Sequence, residues 1–94
     1  MKHDELSERI IAAAIEVHRE LGPGLLESVY EVCLAHELKE RGLAFVQQLR
    51  LPVMYKGVRM ASDLRIDLLV EDRIVVEVKA VEEVHPVHQA QLLT

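Results

Sequence analysis

The stretch 63-DLRIDLLVEDRIVVEVK-79 decides the fold, because apolar residues fill alternate positions on both sides of a short polar turn. Before the turn every even position from 64 to 70 is apolar, and after it every even position from 74 to 80 is apolar. A period of two predicts strands that each bury one face. The stretch therefore predicts a hairpin whose polar side carries Asp67 on the first strand and Glu77 and Lys79 on the second.

Two helices are predicted upstream of this hairpin. A first helix, with Ser7 as a candidate N-cap, has an apolar stripe that recurs at helical spacing: Ile10, Ala14, Val17 and Leu21, widened by Ile11 and Ile15. Gly22-Pro23-Gly24 ends that helix. A second helix is expected from about residue 26 to residue 41, with Gly42 as a left-handed C-cap.

Shorter strands are predicted between the helices and the hairpin. Residues 45–51 alternate, Pro52 indicates a break or an edge, and Lys56-Gly57 is placed for a tight turn. A last helix is expected near Pro86. The fold class is α+β in layers, with two N-terminal helices, a central mixed sheet of three to four strands and a C-terminal helix, in a single domain over residues 1–94.

Composition excludes several classes of protein. Only 3% of the 94 residues are aromatic, which argues against binding single strands by base stacking. The longest unbroken apolar run, residues 10–15, is far shorter than the roughly 20 residues of a membrane span. Cys33 is the only cysteine, so a disulfide framework or a multi-cysteine zinc site is excluded, and a reducing, cytoplasmic location is expected.

Charge is unevenly distributed along the chain. The net charge is −5, which disfavours indiscriminate binding of nucleic acid. Residues 43–62 nevertheless contain three basic residues and no acidic residue. If the chain binds nucleic acid, this basic island supplies the candidate phosphate contacts: Arg50, Lys56 and Arg59.

Metal-assisted phosphodiester cleavage requires at least two carboxylates and a lysine, and the predicted hairpin carries these as Asp67, Glu77 and Lys79. Carboxylates hold Mg²⁺ or Mn²⁺, the metal activates a bound water, and lysine supplies a compact positive charge. A solvated strand face explains the same pattern and is the commoner outcome for Glu-x-Lys alone. A third alternative is a structural cluster in which Lys79 is ion-paired with Asp67 or Glu77, without room for metal.

Convergence of the two carboxylates depends on the turn between the strands. A two-residue loop, Glu71-Asp72, pairs Asp67 with Val76 and places Glu77 on the opposite face. A loop that also includes Arg73 pairs Asp67 with Glu77 on one face. We expect the second register, or a bulge that has the same effect.

Three separated segments resemble the GxxExxY protein family: IIAAAIEVHRELGPGLLESVYE, with Gly24, Glu27 and Tyr30 at the pattern positions, then DLLVEDRIVVEVKAVE and HQAQLLT. That family looks like a branch of the PD-(D/E)XK nuclease superfamily, with a restriction-endonuclease-like core. The resemblance implies a DNA-cleaving, Mg²⁺- or Mn²⁺-dependent hydrolase of endo- or exodeoxyribonuclease type. Tyr30 is more simply explained as an anchor in the core than as a catalyst.

The resemblance implies roles at matching positions. Asp67 looks like the first metal carboxylate and Glu77-Val78-Lys79 like the ExK tripeptide, with the Val78 carbonyl as a further ligand. Glu27 resembles the glutamate that completes the acidic cluster, and Gln91 resembles a glutamine on the following helix.

The family's later elements are expected to be missing, since the sequence resembles a family domain cut short after Gln91. A sheet edge left open in this way favours a homo-oligomer. The rival to catalysis is a non-catalytic interaction module that keeps the nuclease scaffold.

Overall fold

The computed structural model describes residues 4–79. Two helices come first, α1 (Asp4–Leu21) and α2 (Glu27–Glu40), and three strands follow, β1 (Phe45–Tyr55), β2 (Val58–Val70) and β3 (Ile74–Val76). This order confirms the expected α+β class. The expected C-terminal helix near Pro86, together with Gln91, lies outside the described residues.

Helix α1 buries a narrower stripe than its sequence predicts. Leu6, Ile10, Ala13 and Val17 are buried. The two isoleucines expected to widen the stripe, Ile11 and Ile15, are 41% and 52% exposed. Ser7 lies inside the helix, so its prediction as the N-cap was wrong. None of the described helices is long and apolar enough to cross a membrane.

Helix α2 ends at Glu40, and Gly42 follows it in the left-handed conformation that was expected. Gly42 has a φ of 77° and its N–H donates to the Lys39 carbonyl, while the N–H of Leu43 donates to the carbonyl of Leu38. These are the two bonds of a Schellman motif. Leu38 and Leu43 are both buried, so the motif also turns the chain back towards the core before β1 begins.

The three strands form one sheet in the order β1-β2-β3. Both pairings are antiparallel, so the mixed sheet that was expected contains only antiparallel pairs within residues 4–79. Pro52 does not interrupt β1; the chain instead accommodates it with a register shift between Pro52 and Met54. Lys56-Gly57 forms the predicted tight turn, with both residues at positive φ.

Both helices contribute to a core that covers one face of the sheet. The even-numbered residues of the hairpin belong to this core: Leu68, Val70, Ile74, Val76 and Val78. Strand alternation then turns Arg65, Asp67 and Leu69 of β2 and Val75 of β3 to the opposite face. Those residues are half-buried or exposed.

Candidate functional site

The turn after β2 sets the register of the two strands that carry the candidate site. Glu71 and Asp72 both have positive φ, 54° and 55°, and the N–H of Arg73 donates to the Val70 carbonyl at 3.0 Å. Val70 nevertheless pairs with Ile74, which leaves Arg73 as one extra residue in the hairpin. The predicted register, with its three-residue loop, is therefore confirmed.

This turn is fastened to the segment that leads from α2 into β1. The N–H of Glu71 donates to the Ala44 carbonyl at 2.9 Å, and the N–H of Ala44 donates to the Glu71 carboxylate at 2.7 Å. A left-handed conformation is unfavourable for a residue with a side chain. The two bonds to Ala44 offset that cost and hold Glu71 in place.

Asp67 precedes Leu68 and Glu77 follows Val76, the two residues of the last ladder pair. The side chains of Asp67 and Glu77 are half-buried, and Asp67 lies on the face opposite the core. Beyond Val76 the second strand leaves the ladder, and the N–H of Val78 donates to Oδ2 of Asp67 at 3.0 Å. The Asp67 carboxylate thus binds the backbone of the Glu77-Val78-Lys79 tripeptide directly.

Lys79 lies at the end of this segment and is exposed. Among residues 4–79, no ion pair joins Lys79 to Asp67 or to Glu77. The alternative in which Lys79 neutralises those carboxylates is therefore not the arrangement seen.

Glu27 lies at the start of α2. Within the described part of the chain, no group of three or more His, Cys, Asp or Glu side chains could hold a metal ion. The structure joins Asp67 to the Glu77–Lys79 segment through Val78, and the role of Glu27 stays a prediction.

Tyr30 binds the loop between the two helices. Its hydroxyl donates to the carbonyl of Gly22 at 2.6 Å and accepts from the N–H of Leu25 at 3.2 Å. The ring is partly buried against the core. Both polar functions of the phenol are thus used by the backbone, in agreement with its interpretation as a structural anchor.

The basic island divides into residues with and without neighbouring partners. Arg59 donates to Asp63 at 3.0 Å, and the Lys56 ammonium lies 5.5 Å from the centre of the Tyr55 ring. Arg50 lies on β1 opposite Arg65 of β2. Sequence reasoning missed Arg65, although its odd position, two residues before Asp67, was a signal that it shares the face of that carboxylate.

Comparison with known proteins gives one match. A model of the PD-(D/E)XK nuclease superfamily matches residues 4–94. No curated protein and no solved structure matches the chain. The match includes both helices, all three strands and the Asp67–Lys79 segment.

Proposed function

The chain belongs to the PD-(D/E)XK nuclease superfamily, and on that basis we propose that it is a metal-dependent nuclease that hydrolyses phosphodiester bonds in DNA. Asp67 and Glu77 are the proposed metal ligands and Lys79 the proposed charge-stabilising group. One observation supports these roles above all others: Asp67 accepts the hydrogen bond from Val78, in the middle of the Glu-x-Lys tripeptide.

The donor atoms present fit a hard divalent cation. Mg²⁺ and Mn²⁺ prefer carboxylate and carbonyl oxygens, and Mg²⁺ usually binds one or two protein carboxylates while keeping several waters. Asp67 and Glu77 would supply the carboxylates, with the Val78 carbonyl as the further ligand implied by the resemblance. When bound, such a metal polarises a phosphate and lowers the pKa of a coordinated water.

Residues of the chain itself would position the metal ligands and the attacking water. The Val78 N–H fixes Oδ2 of Asp67 and so holds the orientation of this carboxylate. Cross-strand neighbours have Cβ atoms about 4.5–5.5 Å apart. If the register of Leu68 with Val76 continues by one step, Glu77 would lie within reach of the same ligand as Asp67. The exposed Lys79 ammonium would orient the attacking water or offset charge on the phosphate as the bond breaks.

Glu27 and Gln91 remain proposed supporting residues on the strength of the resemblance alone. Glu27 would have to act from the start of α2, outside any three-residue metal cluster within the described residues.

Cleavage of linear and circular DNA, measured with Mg²⁺, with Mn²⁺ and with a chelator, tests the proposal. Asp67→Asn and Glu77→Gln should each lower metal-dependent cleavage at least about a hundredfold, and Lys79→Met should also lower it. The matched control is Asp72→Asn, which changes an exposed carboxylate at the β2–β3 turn.

Equal activity in Asp67→Asn and the unaltered chain would refute this site. A chain that shows no metal-dependent cleavage of either DNA would favour the rival function, a non-catalytic module on a nuclease scaffold.

A further inference from the structure

Two arginines face each other on the open side of the sheet. Arg50 of β1 is the direct cross-strand partner of Arg65 of β2, and both are exposed. Arg65 is two residues before Asp67, so strand alternation places its side chain on the face that carries Asp67. Arg50 and Arg65 therefore form a cationic pair that lies two residues along β2 from Asp67.

This arrangement is unfavourable in the chain by itself. Like charges directly opposite one another on two strands destabilise a sheet. Other arginines have carboxylate partners, such as Arg59 with Asp63 and Arg41 with Glu37, both at or below 3.0 Å. Within residues 4–79, no ion pair holds Arg50 or Arg65. The pair is thus suited to an anion that comes from outside the described chain.

We propose that Arg50 and Arg65 together bind a backbone phosphate of the nucleic acid, next to the phosphodiester that faces Asp67 and Glu77. This inference rests on the proposed function, and it adds Arg65 as a binding residue. A strand rises about 3.3–3.4 Å per residue, so Arg65 and Asp67 lie about 7 Å apart along β2. A strand of duplex DNA advances about 3.4 Å along the helix axis per phosphate, so the distance between the cationic pair and Asp67 corresponds to no more than about two phosphate steps, and one DNA strand can reach both.

Guanidinium groups suit this role. Each offers several donors in a planar fork that matches two oxygens of a phosphate. Arg59, which is one of the contacts predicted from the sequence, is already engaged with Asp63. The inference therefore moves the main phosphate contact from the hairpin tip to the centre of the open face, beside Asp67.

Binding of a fluorescently labelled DNA duplex, measured by anisotropy over a series of salt concentrations, tests the pair. The measurement uses the Asp67→Asn background, in which the duplex stays intact. Arg65→Gln and Arg50→Gln should each weaken binding about tenfold and lower the slope of log K against log salt by about 0.9. Arg65→Lys should recover part of the affinity.

Arg73→Gln is the matched control, since it removes an exposed arginine at the β2–β3 turn without changing the cationic pair. It should leave affinity within about twofold. Removal of a like-charge neighbour should also raise the melting temperature of Arg65→Gln by roughly 1–5 °C. This second measurement separates loss of binding from loss of fold.

The two proposals fail in different ways. If the unaltered chain cleaves DNA but Arg65→Gln binds with unchanged affinity and salt slope, the cationic pair is wrong and the nuclease proposal stands. If no condition gives cleavage but Arg65→Gln still loses affinity, the nuclease proposal is wrong and the phosphate site stands. An Asp67→Asn chain that does not bind the duplex at all would overturn the phosphate site.

Discussion

Ala44 and Glu71 are joined by two hydrogen bonds, in which each backbone N–H donates to an oxygen of the other residue. The bond from Glu71 N–H to the Ala44 carbonyl is 2.9 Å long, and the bond from Ala44 N–H to the Glu71 carboxylate is 2.7 Å long. The first continues the ladder of β1 and β2 by one step, and the second requires the carboxylate. A side chain outside the candidate site therefore helps to hold the turn between the strand that carries Asp67 and the segment that carries Glu77.

Glu71→Ala removes the carboxylate and leaves the left-handed backbone with no compensating side-chain bond. We expect the free energy of unfolding to fall by about 1–3 kcal/mol, because the bond lost has a charged acceptor. Urea unfolding followed by circular dichroism measures this change. Glu71→Gln keeps an acceptor oxygen and should retain most of the stability, whereas equal stability of Ala and Glu at position 71 would contradict the role of the bond.

A divalent cation should stabilise the folded chain. At ten times its Kd the cation adds about 1.4 kcal/mol to the free energy of unfolding, since it binds the folded state alone. Thermal unfolding with increasing Mg²⁺ or Mn²⁺ should therefore show a rising Tm in the unaltered chain and a flat Tm in Asp67→Asn. Asp72→Asn, an exposed carboxylate at the nearby turn, serves as the control and should keep the full shift.

Tyr30→Phe tests the anchoring of the loop between the helices. The change leaves the Gly22 carbonyl and the Leu25 N–H without the phenol oxygen and should cost about 1–2 kcal/mol. The measurement is the change in Tm relative to Tyr55→Phe, whose ring is 60% exposed and which should be neutral. An equally small effect at both tyrosines would show that the phenol contributes nothing at position 30.

Leu68 lies under the candidate site with no exposed surface, and Leu64 lies on the same strand with 53% exposure. Leu68→Ala should reduce the free energy of unfolding by about 2–5 kcal/mol, because it opens a cavity in the core. Leu64→Ala should remain within about 0.5 kcal/mol. Chemical denaturation of the two variants side by side checks how far the core extends along β2, since similar losses would mean that the core also covers the strand at Leu64.

The register of β2 and β3 could be predicted because the apolar pattern of the two strands allows only one of the two loop lengths considered. The apolar residues of both hairpin strands must share one face, and a two-residue loop would turn those after the loop to the other face. A loop that also includes Arg73 returns the apolar residues of the second strand to the core face. The alternation of residues 64–80 was therefore sufficient to predict the three-residue loop and the pairing of Val70 with Ile74.

Other features depend on tertiary contacts that no local pattern contains. The left-handed conformation at Glu71 is unexpected for a residue with a side chain and follows from its bonds to Ala44, 27 positions away. Exposure of Ile11 and Ile15 depends on which elements pack against α1, and helical spacing does not specify this. Arg65 was overlooked because its partner, Arg50, is its neighbour only through the pairing of β1 with β2.

The far end of the β1–β2 hairpin differs from its base. Between residues 51 and 64 every position except Met60 is exposed, and the register shift lies within this span. Backbone amides there have little apolar burial to protect them, so their hydrogens should exchange with solvent through local opening, while those near Leu68 exchange only when the whole domain unfolds. We therefore expect the β1–β2 hairpin to open in two separate parts. The outer part, residues 51–64, can deform around a ligand without moving Asp67 at the inner end of β2.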